Sequence, residues 1–184
     1  MLKILKKIGS FFLDIIQTVV LALAFFVIIY LFFFQPHQVK GNSMSPNFLN
    51  GEYLLTDKIT YRFKEPKRTD VIIFAAPMDE DYEYIKRIIG LPGETIKVEA
   101  GHIFINGEKL EEIYLNKEIK TQGGNFLKTG QTFLIPEGEY IVIGDNRSYS
   151  SDSREWGTVP RKNIVGKAWL RYWPLDKFGL VNRW

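Results

Sequence analysis

The feature that most constrains this chain is an uncharged apolar run near its N-terminus, residues 15–34. The run reads IIQTVVLALAFFVIIYLFFF, and 15 of its 20 residues are Leu, Ile, Val or Phe. As an α-helix it would be about 30 Å long, which matches the thickness of the hydrocarbon core of a bilayer. The sequence therefore predicts a transmembrane helix, which we place at residues 12–34.

Two other interpretations of this run are a buried core helix and a cleaved signal peptide. A core helix needs one apolar face, whereas this run is apolar on all faces. The apolar part of a signal peptide has about 7–15 residues and ends before a site of small residues. Here the run ends in Phe32, Phe33 and Phe34, followed by Gln35 and Pro36. We therefore interpret it as a retained membrane anchor.

The flanking charges predict the orientation of this anchor. Lys3, Lys6 and Lys7 precede the run, and only Lys40 follows it within the next 20 residues. Since the positively charged flank stays in the cytoplasm, we expect a short cytoplasmic tail at residues 1–11. The remaining residues, 35–184, are then an extracytoplasmic domain on a single-pass protein of the cell membrane.

Composition excludes several classes of function. A length of 184 residues allows one domain beyond the anchor, and a net charge of +3 gives no reason to expect a nucleic-acid partner. The absence of cysteine excludes disulfides and thiol nucleophiles. The two histidines, His37 and His102, are too few for a histidine-rich metal cluster. The sequence thus predicts neither a metal nor another cofactor.

Beyond the anchor the sequence predicts a mainly β domain, a barrel or a sandwich. Short runs rich in Val, Ile, Tyr and Phe recur between Gly, Pro and Asn residues, a pattern typical of strands. These runs are 53–56, 70–74, 84–89, 94–98, 102–105, 132–135, 140–143 and 167–172. Asn106-Gly107 predicts a tight hairpin turn. Residues 110–130 are polar and irregular, and we expect a small excursion inserted in the sheet there.

Three polar segments carry the candidate functional residues, and each also has an ordinary structural interpretation. The segments are residues 41–46 (GNSMSP), 84–93 (YIKRIIGLPG) and 144–157 (GDNRSYSSDSREWG). The ordinary interpretation of the first segment is a turn, and that of the second is a strand with a surface lysine. The third is readily explained as a loop whose polar side chains hydrogen-bond its own backbone. A serine nucleophile at Ser43 needs a base. Lys86 is the best-placed candidate, because burial on an apolar strand would lower its pKa. His37 and His102 remain possible, because catalytic groups are brought together by the fold and not by sequence position.

Together the three segments resemble the motifs of type I signal peptidases, which are membrane-bound serine proteases. They resemble, in family order, the nucleophile box G-x-S-M-x-P, the lysine box Y-x-K-R-x-x-G-x-P-G-[DE] and the box G-D-N-R-x-x-S-x-D-S-R-x-W-G. The single anchor and the short chain are similar to the small Gram-positive members. The chain departs from the family pattern at Gly41, where some relatives have a serine, and at Asn47, where threonine is usual.

The resemblance implies a signal-peptidase-like β fold and a role for each matching residue. Ser43 would be the nucleophile and Lys86 the general base, with the Ser150 hydroxyl bonded to the lysine. Asp152 would pair with Arg154 and Arg87, and the backbone N–H of Ser43 would bind the oxyanion. Substrate pockets for small residues at positions −1 and −3 would be formed by Val39, Met44, Phe48, Tyr84 and Ile85.

The resemblance also implies the partners. These are preproteins with signal peptides, as they emerge from the export translocon, and the lipid bilayer. Two other classes of protein are alternatives: an inactive anchored binding protein on the same scaffold, and a self-cleaving repressor relative that also uses serine and lysine. The latter needs a DNA-binding module and a cytosolic site, whereas this chain has an apolar span.

Overall fold

A computed structural model describes residues 2–77 and 79–181 of the chain. It opens with a long helix, α1 (Leu2–Phe32), within which Lys6–Tyr30 is apolar and long enough to cross a membrane, judged by length and composition. The helix ends two residues before the predicted bound at residue 34. Phe34 already lies in a strand, and Pro36 has no N–H with which to continue a helix.

The rest of the described chain is mainly antiparallel β structure. The strands are β1 (Phe34–Gln38), β2 (Tyr53–Asp57), β3 (Val71–Ala76), β4 (Asp79–Gly90), β5 (Thr95–Glu99), β6 (His102–Ile105), β7 (Glu108–Lys109), β8 (Thr132–Leu134), β9 (Glu139–Ile143), β10 (Val159–Pro160), β11 (Ile164–Trp173) and β12 (Gly179–Leu180). Two one-turn α-helices, α2 (Thr60–Phe63) and α3 (Ser153–Trp156), and the 3₁₀ turns Arg161–Asn163 and Leu175–Lys177 lie between strands. The prediction of a mainly β fold behind an apolar helix is confirmed.

The strands form one large and one small sheet. The large sheet has the order β1-β2-β11-β3-β4-β9-β10, with β12 paired to β11. The small sheet has the order β7-β6-β5-β8. Because β4 lies between β3 and β9, with Ile72 opposite Lys86 and Ile143 opposite Arg87, the middle of β4 is held on both sides.

All eight predicted strands are present, whereas β1 is not among the predicted strands. It contains Pro36, which argues against a central strand, yet β1 lies at the edge of the sheet and pairs only with β2 among the described strands. The predicted hairpin turn at Asn106 and Gly107 is also found, with φ of 53° and 84°. Both residues are left-handed, as a type I′ turn requires.

The described residues form three apolar core clusters. One lies under the loop between β1 and β2 and includes Met44, Phe48 and Ile85. The second lies on one face of β3, β4 and β9 and includes Phe74 and Val142. The third joins the small sheet to the large one.

Residues 110–131 contain no strand, as expected of an excursion. They are nevertheless fixed to the domain, because Tyr114 and Leu127 are buried in the third cluster. In addition, the Arg147 side chain donates to Thr121 and Glu112. The excursion is therefore part of the packed domain.

Candidate active site

Ser43 lies in the loop between β1 and β2, which is held at its base and anchored from below. Val39 N donates to Glu52 O over 2.8 Å, and Gly51 N donates to Val39 O over 2.9 Å, so the two ends of the loop are closed. Met44 is buried in the core immediately after Ser43. The apolar neighbour thus fixes the turn, and Ser43 is left half-buried on a cleft.

Lys86 meets this serine from the middle of β4. Its Nζ lies 2.8 Å from Ser43 Oγ, within hydrogen-bond distance. It also donates to Ile85 O over 3.1 Å and lies 5.4 Å from the centre of the Tyr84 ring. The side chain is only 5% exposed. The two residues come from segments 43 positions apart, so the fold brings together the pair that the sequence singled out.

Burial lowers the pKa of Lys86 to about 8. The cause is loss of hydration of the ammonium form, which is opposed by the negative charges of Asp152 and Asp145. At pH 7 about a tenth of the molecules therefore carry the neutral amine, far more than for a lysine with the usual pKa of 10.5. A neutral amine within hydrogen-bond distance of a hydroxyl is the arrangement that a Ser-Lys nucleophile needs.

The two histidines are placed unfavourably for this task. The His37 ring lies on the cleft, but Nδ1 is 2.8 Å from Thr56 Oγ1 and Nε2 is 2.7 Å from Glu83 Oε2. Both ring nitrogens are thus engaged. His102 lies in the small sheet, where its Nε2 is 3.2 Å from Lys109 Nζ. Of the three candidate bases, Lys86 is the one that contacts Ser43.

Two buried ion pairs lie around the dyad, and one differs from expectation. Arg154 Nε donates to Asp152 Oδ1 over 2.8 Å, which is the expected pairing. Arg87, which the resemblance pairs with Asp152, donates to both carboxylate oxygens of Asp145, over 2.8 and 2.6 Å. The reason is register: Arg87 lies opposite Ile143, so that the residue two positions further, Asp145, is the carboxylate it reaches.

Asp152 instead holds the backbone of its own loop. It accepts from Gly144 N over 3.0 Å and from Arg154 N over 3.2 Å, and it caps α3. Neither carboxylate, Asp145 or Asp152, has any exposed surface. The sequence suggests pairing of Asp145 within its own loop, with Arg147 or Arg154, whereas its observed partner Arg87 is 58 residues away in sequence.

The expected hydrogen bond between Ser150 and Lys86 is absent from the described part of the chain. The Ser150 hydroxyl is buried and has no hydrogen-bond partner there. It lies against Gly144 instead: a Cβ on that glycine would be 2.2 Å from Ser150 Oγ and 2.4 Å from Ser43 O. The missing side chain of Gly144 is what allows Ser150 and the loop of Ser43 to approach each other.

The cleft beside the dyad has a volume of about 280 Å³. Three of the five predicted pocket residues line it, namely Val39, Tyr84 and Ile85. Met44 and Phe48 do not; they lie in the core below, because a buried loop needs apolar anchors. The other lining residues are His37, Gln38, Lys40, Gly41, Asn42, Ser43, Leu54, Ile73, Glu83, Lys86, Tyr149 and Ser151.

Comparison with known proteins agrees with this geometry. Residues 12–173 match the family model described as signal peptidase, peptidase S26. The chain belongs to this family. Among its relatives, signal peptidase I of Leptolyngbya laminosa is 35% identical over 181 residues, which cover 94% of this chain and 85% of the relative. Signal peptidase IB of Staphylococcus aureus (strain COL) is 32% identical over 180 residues, covering 90% and 93%.

A solved structure is also similar. The crystal structure of a signal peptidase I from Enterococcus faecalis V583 is 33% identical, covers 56% of this chain and 97% of that chain, and has a TM-score of 0.48.

Family membership confirms the predicted class of activity. Signal peptidases of this family are serine peptidases, and the Ser-Lys dyad is a general property of the family. The chain is therefore a hydrolase that cleaves signal peptides from preproteins. The interpretations as a binding protein and as a repressor relative are set aside by the same finding.

Proposed function

We propose that Ser43 and Lys86 are the catalytic dyad of this signal peptidase. The observation that carries the assignment is the 2.8 Å separation of Ser43 Oγ and Lys86 Nζ at the edge of a cleft. The low exposure of the amine supports it, because a lysine in water would be protonated near neutral pH and unable to accept a proton.

The first half of the reaction forms an acyl-enzyme. Neutral Lys86 accepts the proton of Ser43 Oγ as that oxygen attacks the carbonyl carbon of the scissile peptide bond. The backbone N–H of Ser43 stabilises the oxyanion. The C–N bond then breaks, the Lys86 ammonium returns the proton to the leaving amine, and the mature protein departs with a new N-terminus.

The second half regenerates the enzyme. Lys86, neutral again, takes a proton from a water molecule whose oxygen attacks the ester carbonyl. The ester bond to Ser43 Oγ breaks, and the oxygen receives the proton from Lys86. The products are the free serine and the signal peptide with a C-terminal carboxylate, and no cofactor enters either step.

Substrate selection is assigned to the apolar walls of the cleft. Val39, Leu54, Ile73 and Ile85 lie on it, and all four are at most 9% exposed. Packed walls of this kind have little room to move, so they accept small side chains at −1 and −3 and reject large ones.

We place the domain at the outer face of the membrane. α1 leads into β1 after one residue, Phe33, so the cleft remains near the end of the apolar helix. Lysines precede the helix, which favours a cytoplasmic N-terminus. The catalytic domain, residues 35–184, then meets preproteins and the bilayer on the side where signal peptides emerge from the translocon.

The experiment is cleavage of a preprotein with Ala at −1 and −3 by the full chain in detergent. Ser43→Ala and Lys86→Ala each abolish cleavage, and so does Lys86→Arg, because a guanidinium does not act as a base. Lys97→Ala, a matched change in the small sheet, retains wild-type activity. Cleavage by Ser43→Ala at the wild-type rate would overturn the assignment.

A further inference from the structure

Asn47 connects the loop of the nucleophile to the residues beside Lys86. Its Nδ2 donates to Tyr114 O and to Asp145 Oδ2, each over 2.8 Å. The same Asp145 oxygen accepts from Arg87 Nη2 over 2.6 Å. Arg87 follows Lys86 directly in β4. A short series of hydrogen bonds thus runs from the Ser43 loop through a fully buried carboxylate to the strand of the lysine.

The Ser43 loop is held against this same segment at a second point. Asn146 N donates to Ser43 O and Asn146 Nδ2 donates to Asn42 O, both over 3.0 Å. The loop is therefore bonded to residues 145–146 on either side of the nucleophile, by Asn146 on one side and by Asn47 on the other.

Asn47 does not line the cleft. Its main-chain oxygen accepts from Arg171 Nη2 over 2.8 Å on the side of β11. Its contacts are thus with residues that support the site and not with the cleft. A substitution of Asn47 should therefore change the geometry of the dyad without changing the contacts available to the substrate.

We propose that Asn47 is a positioning residue that sets the separation of Ser43 Oγ and Lys86 Nζ; this inference rests on the function proposed above. The amide of Asn47 has two N–H donors and two acceptors in reach. A threonine at this position would have one hydroxyl hydrogen and could serve only one of these acceptors. The chain therefore holds its nucleophile loop by a bridge that a threonine does not reproduce in full.

The test is the steady-state kinetics of Asn47→Leu, which keeps the size of the side chain and removes both donors. We expect kcat to fall about 10- to 100-fold, because small displacements of reacting groups are costly to catalysis. KM should stay within about twofold, since residue 47 does not touch the cleft. Asn47→Thr restores one hydrogen bond and should recover part of kcat.

The matched control is Tyr61→Phe. It also removes a hydrogen bond to a buried carboxylate, from Tyr61 OH to Asp70 Oδ2 over 2.8 Å, in another core cluster. This variant should lose thermal stability without losing kcat. If Asn47→Leu fails to fold, the comparison of Asn47→Thr with wild type decides, with a lower kcat expected at unchanged KM.

Two results would overturn the inference. One is wild-type kcat in folded Asn47→Leu or, where that variant does not fold, in Asn47→Thr. The other is an equal loss of kcat in Tyr61→Phe. If wild type does not cleave, or if Ser43→Ala does, the proposed function itself fails, so the two failures are distinguishable.

Discussion

Arg87 and Asp145 form a salt bridge with no exposed surface on either side chain, one residue along β4 from Lys86. Two hydrogen bonds, of 2.8 and 2.6 Å, join them. This pair lies between the strand of Lys86 and the loop of Ser43, so we expect the stability of the domain and the separation of Ser43 and Lys86 to depend on the same contact.

Asp145→Ala should destabilise the domain strongly. It leaves a buried guanidinium without its carboxylate, and breaking one partner of a buried pair typically lowers the free energy of unfolding by about 3–5 kcal/mol. Thermal unfolding in detergent measures the change. Glu99→Ala removes the more exposed pair with Lys97 and should have an effect below about 1 kcal/mol. Equal effects of the two changes would contradict the prediction.

Cleavage should increase as the pH rises through about 8. The pKa of Lys86 is lowered to about 8 by burial, and only the neutral amine accepts the serine proton. The pH profile of kcat/KM for a fluorogenic signal-peptide substrate measures this, because it reports groups of the free enzyme. An acidic limb at the usual histidine pKa of about 6.5 would point to a different base.

Lys86→Met should abolish activity and yet stabilise the fold. Below pH 8 the folded protein carries a buried ammonium whose pKa is lowered from 10.5, and this opposes folding by up to about 3 kcal/mol. As the pH rises from 8 to 10.5, the folded form loses the proton before the unfolded form does, so wild-type stability increases. Melting curves at pH 7 and pH 10 test both statements, and Lys86→Met should lack this pH-dependent gain.

His37→Gln should retain cleavage within about tenfold of wild type. Both ring nitrogens of His37 are bonded to other side chains, Thr56 and Glu83, so the ring does not serve Ser43 as a base. A glutamine keeps a polar side chain on the cleft wall. A loss as complete as that of Lys86→Ala, measured with the same substrate, would contradict the assignment of the base.

Gly144→Ala should reduce kcat by at least tenfold. The new Cβ would lie 2.4 Å from Ser43 O and 2.2 Å from Ser150 Oγ, so the loop of the nucleophile must move. Because Ser43 O belongs to the backbone, this contact cannot be relieved by moving the end of a flexible side chain. The matched control is Gly9→Ala, because a Cβ on Gly9 would meet no other atom within 4 Å. Gly138→Ala is unsuitable, since Gly138 has a left-handed φ of 73° that strains an alanine.

Most strands and turns could be predicted from the sequence, because the residue patterns that specify them lie within a few neighbouring positions. Strand β6 (His102–Ile105) and the turn at Asn106 and Gly107 follow from neighbours in the chain. Strand β1 was missed because Pro36 argues against a central strand, and edge position is a property of the whole sheet. α1 ends at Phe32 and not at residue 34, because the chain already enters β1 at Phe34.

The proximity of Ser43 and Lys86 could be predicted from the sequence, whereas the contacts around them could not. Ser43 and Lys86 stand out by residue type and motif, but Arg87 reaches Asp145 because of the register between β4 and β9, which no local pattern specifies. Met44 and Phe48 were expected in the substrate pockets, since an apolar residue near a site is equally suited to a wall or to the core below it. In the sequence, Asn47 is only a departure from the family motif. Its hydrogen bonds to Tyr114 O and Asp145 become visible only once the loops are packed together.

The direct passage from α1 into β1 has a further consequence for the proposed membrane enzyme. One residue separates the two elements, and Lys58 N donates to Phe33 O over 2.9 Å at the junction, so the joint has little freedom. The height of the dyad above the lipid is then set by the covalent chain. A signal peptide with several extra residues between its apolar segment and its scissile bond would carry that bond past the nucleophile. For the topology proposed above, we expect spacer length, independent of side-chain identity, to be a criterion by which this enzyme distinguishes its substrates.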